Sequence, residues 1–267
     1  MCYYKSQKIK GSDQISLKHL HKPLAQYELF TRVLISGFDY GGSAVLKKQA
    51  GQQDFDVVEM EWGFIPGYIK DRESLAKMRT GYKDASGNWK PGIVTLNAVC
   101  EEFLQPGKIY RQAGLQRKCL VVASGFYEWR HVFPLNKKTG QPLKTANKYP
   151  YFISVKDRPY FFMAGIWQPW TDQQTGEYVE SFSILTCPAN ELMQQVHNTK
   201  KRMPVILDED QSWEWLFGNG DENTATLISA SQFPAAQMQA YPIAKDFRAS
   251  ADPAQPFSYE ELTPLDL

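Results

Sequence analysis

Only four cysteines occur in 267 residues, at positions 2, 100, 119 and 187, and their spacing forms no disulfide framework. That excludes the cysteine-stapled secreted scaffolds and points to a reduced, cytoplasmic chain. The polar start Lys5-Ser6-Gln7-Lys8 lacks the apolar core of a signal peptide. No apolar run approaches the roughly 20 residues that span a bilayer, so no membrane partner is expected. Excess charge of either sign is missing as well. With 30 basic and 29 acidic residues the formal charge is +1, which argues against a broad cationic coat for nucleic acid; any such surface must be local. There is no His-Glu-x-x-His, no paired Cys-x-x-Cys and no acidic cluster with ligand spacing, so the expected chemistry needs no metal and no other cofactor. Internal repeats are absent.

Apolar and aromatic residues, by contrast, make up 43% and 13% of the chain, enough for a substantial core. No long Gly/Ser/Pro linker divides it, so one domain over 2–245 is expected, followed by a polar, Pro-containing tail over 246–267 that either wraps the body or stays mobile. Periodicity predicts strands around 55–60, 93–98, 118–123, 150–155, 160–166, 180–186, 203–207 and 239–243. Helices are predicted around 71–80, 188–196 and 208–217, the last opened by Asp208 as N-cap and closed by Gly218. Residues 131–147, rich in Lys, Gly and Pro, read as a long hairpin loop or insertion. Without regular βαβ alternation the class is α+β: a curved, largely antiparallel sheet or barrel-like core with peripheral helices.

The most informative residue is Cys2. Loss of one methionine would leave its thiol and a free α-amine on adjacent carbons. An α-amine with a pKa of about 7.7–8.0 is substantially nucleophilic at cellular pH, and the pair can trap an aldehyde as an imine that the sulfur closes into a five-membered thiazolidine. The same pair can also act as nucleophile and base in amide hydrolysis. Three downstream segments supply partners. Glu128, in Gly125-Phe126-Tyr127-Glu128-Trp129, follows the strand-like run Lys118–Ala123 and lies among aromatics, where desolvation raises a carboxyl pKa and suits a general acid; the alternative is an ordinary surface glutamate. His197 stands beside Lys200, Lys201 and Arg202 as a proton-transfer candidate near anion-attracting charge, although a lone histidine is also a common structural residue. Asn97 ends an apolar strand where its amide can orient an amine or polarise an aldehyde, or simply turn the chain. The segment Glu61–Tyr68 gathers Trp62, Phe64 and Pro66 in a Gly- and Pro-broken loop, where exposed aromatics can stack on bases or wedge between them, core packing being the default for each.

In this order, Cys2, Trp62-Gly63-Phe64-Ile65-Pro66, Asn97-Ala98, Gly125–Trp129 and His197 with Arg202-Met203-Pro204 resemble the SRAP family of SOS-response-associated peptidases, the abasic-site-shielding proteins. The likeness runs from residue 2 to about Leu207. It implies a protein that binds single-stranded DNA and captures abasic sites covalently through Cys2; a monomer suits a protein that must grip one lesion. By the same resemblance, Cys2 is the crosslinking nucleophile, Asn97 orients it, Glu128 helps open the abasic sugar and His197 transfers protons. Arg202 contacts phosphate, Thr186 lines the DNA side, and Trp62, Phe64, Pro66 and Trp129 form the wedge beside the lesion.

The chain departs from the family pattern in two places. Tyr3 and Tyr4 stand where the family usually has Gly-Arg, and Val99 stands where it has a basic residue after Asn97-Ala98. Two phosphate-binding cations are therefore missing, with Lys5, Lys8, Lys10, Lys200 and Lys201 as possible substitutes. Three functions remain open on sequence: covalent abasic-site capture with self-removal of Met1, an N-terminal-nucleophile cysteine peptidase or amidase, and a non-catalytic single-stranded-DNA binder.

Overall fold

The computed structural model describes residues 2–266. In chain order the strands are β1 (Tyr4–Ser6), β2 (Gln14–Leu17), β3 (Leu20–Pro23), β4 (Ile35–Ser36), β5 (Gly42–Lys48), β6 (Phe55–Trp62), β7 (Tyr82–Lys83), β8 (Trp89–Lys90) and β9 (Asn97–Val99). They continue with β10 (Lys118–Ala123), β11 (Gly125–Val132), β12 (Asn147–Val155), β13 (Phe161–Thr171), β14 (Tyr178–Pro188), β15 (Arg202–Pro204), β16 (Ile206–Leu207) and β17 (Met238–Pro242). Five helices flank them: α1 (Arg72–Thr80), α2 (Arg111–Gln116), α3 (Glu191–Val196), α4 (Glu209–Phe217) and α5 (Glu222–Ala230). The protein is α+β with a barrel-like core, as the sequence predicts.

The core is a closed ring. Strand β10 pairs with β5 and β13, β5 with β6, and β13 with β14, and β14 meets β6 in parallel at Phe182 opposite Trp62, closing the circuit. Closure removes the exposed strand edges that invite aggregation. It also explains why Cys119–Ala123 forms a continuous apolar run rather than an alternating one, since both faces of β10 are covered. Short strands β9 and β15 add to β14, and β16 adds to β13.

A second sheet, in the order β17-β12-β11-β1-β4, is antiparallel throughout. Only Ser124 separates β10 from β11, and its amide donates to the Ser6 carbonyl at 2.9 Å. A Cβ on Gly125 would lie 2.1 Å from the Phe152 ring, so the bend between the sheets requires a residue without a side chain. Lys5, fully buried, donates to the Val122 carbonyl and to Gln7 Oε1, both at 2.8 Å, tying β1 to the barrel.

Local signals hold for the helices. The Asp71 side chain caps α1 through Ser74 N–H, and Asp208 and Gln211 form a reciprocal capping box at α4, which ends at Gly218. The predicted strand over 93–98 shortens to Asn97–Val99, because Ile93 and Val94 are exposed and only the later residues find a partner in β14. The predicted 203–207 strand splits at Val205, whose amide turns to Leu185 while its flanks pair with different neighbours. Residues 131–147 are indeed the loop end of the β11–β12 hairpin. The tail packs rather than dangles: Phe247 stacks on Tyr127 at 5.1 Å, Tyr149 donates to Glu261, and Gln195 exchanges two hydrogen bonds with the Asp266 backbone. Among the described residues no helix is long and apolar enough to cross a membrane.

Trp215 of α4 is buried against the barrel and donates its Nε1–H to the Cys119 and Gly165 carbonyls, each at 3.1 Å. Trp215→Ala should therefore cost about 3–5 kcal/mol of unfolding free energy in urea melts; a loss below about 1 kcal/mol would mean that α4 is not part of the barrel's packing.

Candidate functional site

The antiparallel register of β1 on β11, Lys5 opposite Phe126 and Tyr4 opposite Tyr127, carries the chain start toward Glu128 and Trp129. Cys2 is fully buried. Its carbonyl accepts a hydrogen bond from Asn97 Nδ2 at 2.9 Å, and its thiol donates a long contact, 3.8 Å, to the Tyr4 carbonyl. Asn97 Oδ1 is buried with no hydrogen-bond partner among the described residues, an acceptor held beside Cys2. Met1, whose removal the sequence reading invokes, lies outside the described residues.

Glu128 faces inward from β11 and is 4% exposed. Its Oε2 lies 3.8 Å from Nε2 of His197. His197 caps the C-terminus of α3, whose N-terminus is held by the Asn190 side chain on Met193 N–H. Its Nδ1 sits 2.8 Å from the Arg202 carbonyl and 3.3 Å from the Arg202 N–H; the shorter contact favours the proton on Nδ1, with Nε2 facing Glu128. Asn198 then clasps β11 from the same turn, accepting from His131 N–H at 3.0 Å and donating to the His131 carbonyl at 2.8 Å. Glutamate and imidazole are thus fixed from two elements cross-braced by one amide, a role for Asn198 that the sequence reading passed over although it adjoins His197.

Burial sets the protonation states. Desolvation pushes the Glu128 carboxyl up to about 7, leaving it protonated in a large fraction near neutrality. It lowers His197 to about 4, so the imidazole is neutral there. The Cys2 thiol is raised to about 12 by burial and then by the Glu128 charge, with Lys5 opposing. Lys5 is itself lowered to about 7 by desolvation. Near neutrality the imidazole is neutral, the thiol is intact and the carboxyl is about half protonated.

The Glu128–His197 pair opens onto a cleft of about 410 Å³ lined also by Tyr3, Trp129, Lys148, Lys200 and Arg248. Trp129 is half-buried and meets Tyr4 edge-on at 5.4 Å. The other wedge candidates lie elsewhere. Trp62 and Phe64 are buried in the core and Pro66 is buried beside them. Trp62 stacks on Phe182 at 6.2 Å and donates to the Leu96 carbonyl, because it ends β6 in the inward phase of the ring. Their side chains are packed in the interior and present no exposed ring. Thr186 is also fully buried, its hydroxyl toward the Ala98 carbonyl. Arg202 grips Glu101 with both Nη atoms, at 2.5 and 2.9 Å, and donates to the Thr186 carbonyl, so a phosphate would have to displace Glu101. Of the substitute cations, Lys5 is consumed in the interior, Lys8 and Lys10 line a different depression with Asp252, and Lys200 alone reaches the cleft.

The opposed shifts of Glu128 and His197 make a distinctive stability signature. Glu128 titrates ordinarily near 4.5 and here near 7, so its contribution is full below about pH 4.5 and is lost as pH rises through 7. His197, ordinarily 6.5 and here about 4, contributes fully above 6.5 and loses that as pH falls through 4. Between pH 4.5 and 6.5 the two slopes oppose. Glu128→Gln should raise unfolding free energy at pH 8 by about 1–3 kcal/mol and leave a stability that increases with pH over 4–6.5. Denaturant titrations at several pH values check this, and a variant less stable than the parent at pH 8 would refute it.

The chain is also similar to known proteins. It is 28% identical over 185 residues, 69% of this chain and 68% of its relative, to abasic site processing protein YoqW of Bacillus subtilis. Over 199 residues, 66% of this chain and 51% of the relative, it is 27% identical to abasic site processing protein HMCES of Gallus gallus. A crystal structure of a protein from Bacteroides thetaiotaomicron superposes with a TM-score of 0.71 at 26% identity, covering 96% of this chain and all of that one. Residues 39–249 match the sequence model described as SOS response associated peptidase, and the chain belongs to that family, SRAP.

Proposed function

We propose that this chain captures abasic sites in single-stranded DNA by forming a thiazolidine through Cys2 once Met1 has been removed, self-removal being the one peptidase-type step it performs. The observation that carries the reading is the Asn97–Cys2 hydrogen bond, which holds the N-terminal residue in a site shared with a buried carboxyl and a neutral imidazole. The relatives named as abasic site processing proteins support the substrate class.

Each step suits a group in the site. A closed abasic sugar hides its aldehyde in a hemiacetal. Protonated Glu128 gives a proton to the ring oxygen as the C1′–O bond breaks, and the C1′ hydroxyl proton passes to a base such as His197 Nε2. The freed aldehyde condenses with the α-amine, losing one water and leaving an imine. The thiol then adds across the C=N bond, sulfur to carbon and proton to nitrogen, closing the ring. A thiol held near 12 by burial carries little thiolate, so amine attack comes first and sulfur follows, with its proton leaving as the S–C bond forms. Asn97, fixing the Cys2 carbonyl with Nδ2 and presenting an open Oδ1, keeps the amine in line.

Incubating the mature protein with an oligonucleotide bearing one abasic site should give a heat-stable adduct on denaturing gels, with the mass of protein plus DNA less one water. Cys2→Ala and undamaged DNA should give none. Glu128→Gln should slow adduct formation about a hundredfold, and the native rate should fall as pH rises beyond about 7, where Glu128 surrenders its proton. An adduct that survives Cys2→Ala, an intact mass retaining Met1 in a reactive preparation, or amide turnover without any DNA adduct would each overturn the proposal.

A further inference from the structure

The cleft beside Glu128 and His197 is ringed by cations from three separate elements: Lys148 on β12, Lys200 in the turn after α3, and Arg248 in the short 3-10 turn Phe247–Ala249. All three are exposed, and none has a carboxylate within ion-pair distance among the described residues. On a chain of formal charge +1 this is a concentrated patch. It sits at the mouth of the one cleft that holds the buried acid and imidazole.

Arg248 differs from the two lysines in how it is held. Its guanidinium carbon lies 4.6 Å from the Tyr4 ring, 5.9 Å from Trp129 and 5.8 Å from Phe247. Phe247 is itself buried and stacked on Tyr127, the residue next to Glu128 in β11. The turn is thereby anchored to the strand that carries the acid. A guanidinium resting on aromatic faces keeps its in-plane N–H donors available, the fork geometry that matches a phosphate. Tyr4 and Arg248 come from opposite ends of the chain and meet only in the fold.

We propose that Arg248, seated on Tyr4 and Trp129, is a phosphate-binding residue of this cleft and grips the phosphodiester beside the captured nucleotide, with Lys148 and Lys200 as weaker companions. The inference rests on the DNA-capture reading and adds to it a contact from the C-terminal segment. Tyr4 is then the platform of the arginine rather than a gap in the site.

The test is binding of undamaged fluorescein-labelled single-stranded oligonucleotide, followed by anisotropy from 25 to 200 mM NaCl (roughly the range over which phosphate contacts separate), for the native protein, Arg248→Gln, Arg248→Lys and, as a control away from the cleft, Lys10→Gln. Arg248→Gln should weaken binding about tenfold at the lowest salt and flatten the log–log salt slope by about 0.7, the value for one phosphate contact on a single strand. Arg248→Lys should retain the slope but bind more weakly, because it keeps the charge and loses the fork. Lys10→Gln should match the native protein, and thermal melts of all four should coincide. Equal affinity and slope for Arg248→Gln and native protein would overturn this inference while leaving covalent capture standing. Native protein that binds no single strand and forms no adduct would overturn both. If Arg248→Gln melts early, the Arg248→Lys comparison decides: unchanged affinity there counts against the fork.

Discussion

The pairing of β1 with β11 is the constraint on which everything else depends. Three residues of register, Tyr4 to Ser6 against Tyr127 to Gly125, bring the N-terminal end of the chain to a carboxylate more than 120 positions away. The same short strand is fastened from the other side by β4 and from below by the Lys5 ammonium in the barrel wall. Burying a lysine is costly unless its donors are filled, and here two are filled by Gln7 and Val122. That cost is tolerated where it locates the chain start, which otherwise tends to fray.

Charge is suppressed at the centre and allowed at the rim. Glu128, His197 and the Cys2 thiol are each shifted toward the neutral form by the same cause, desolvation, so the interior stores protons in positions from which they can move without a charged resting state. Around it, the basic side chains of Lys148, Lys200 and Arg248 are exposed at the cleft. Arg202 belongs to neither layer: its pairing with Glu101 and the Thr186 carbonyl staples the ends of β9, β14 and β15 behind the imidazole.

Much of this was legible in the sequence. The β10 run and α4 read directly, because a doubly covered strand is uniformly apolar and a capping box is a local signal. Cys2, Asn97, Glu128 and His197 are each weak signals alone, and only their order along the chain singles them out. What did not read was orientation. Trp62 and Phe64 looked like a base-stacking loop because Gly63 and Pro66 break the segment, yet the parallel contact of β6 with β14 turns both inward. Short strands such as β1 and β4 are too brief to show a period, and Arg248 sits in a tail whose value comes only from tertiary stacking on Tyr4. Lys5 misled for a related reason: a lysine at a polar-looking start gives no hint that its strand is interior.

That interior placement has a practical corollary. Because β1 runs between two other strands and Cys2 has no solvent-accessible surface, any polypeptide fused ahead of it must find a way out past Asn97 and Glu128. Purification handles therefore belong at the other terminus, where they add nothing to a passage already filled by packed side chains.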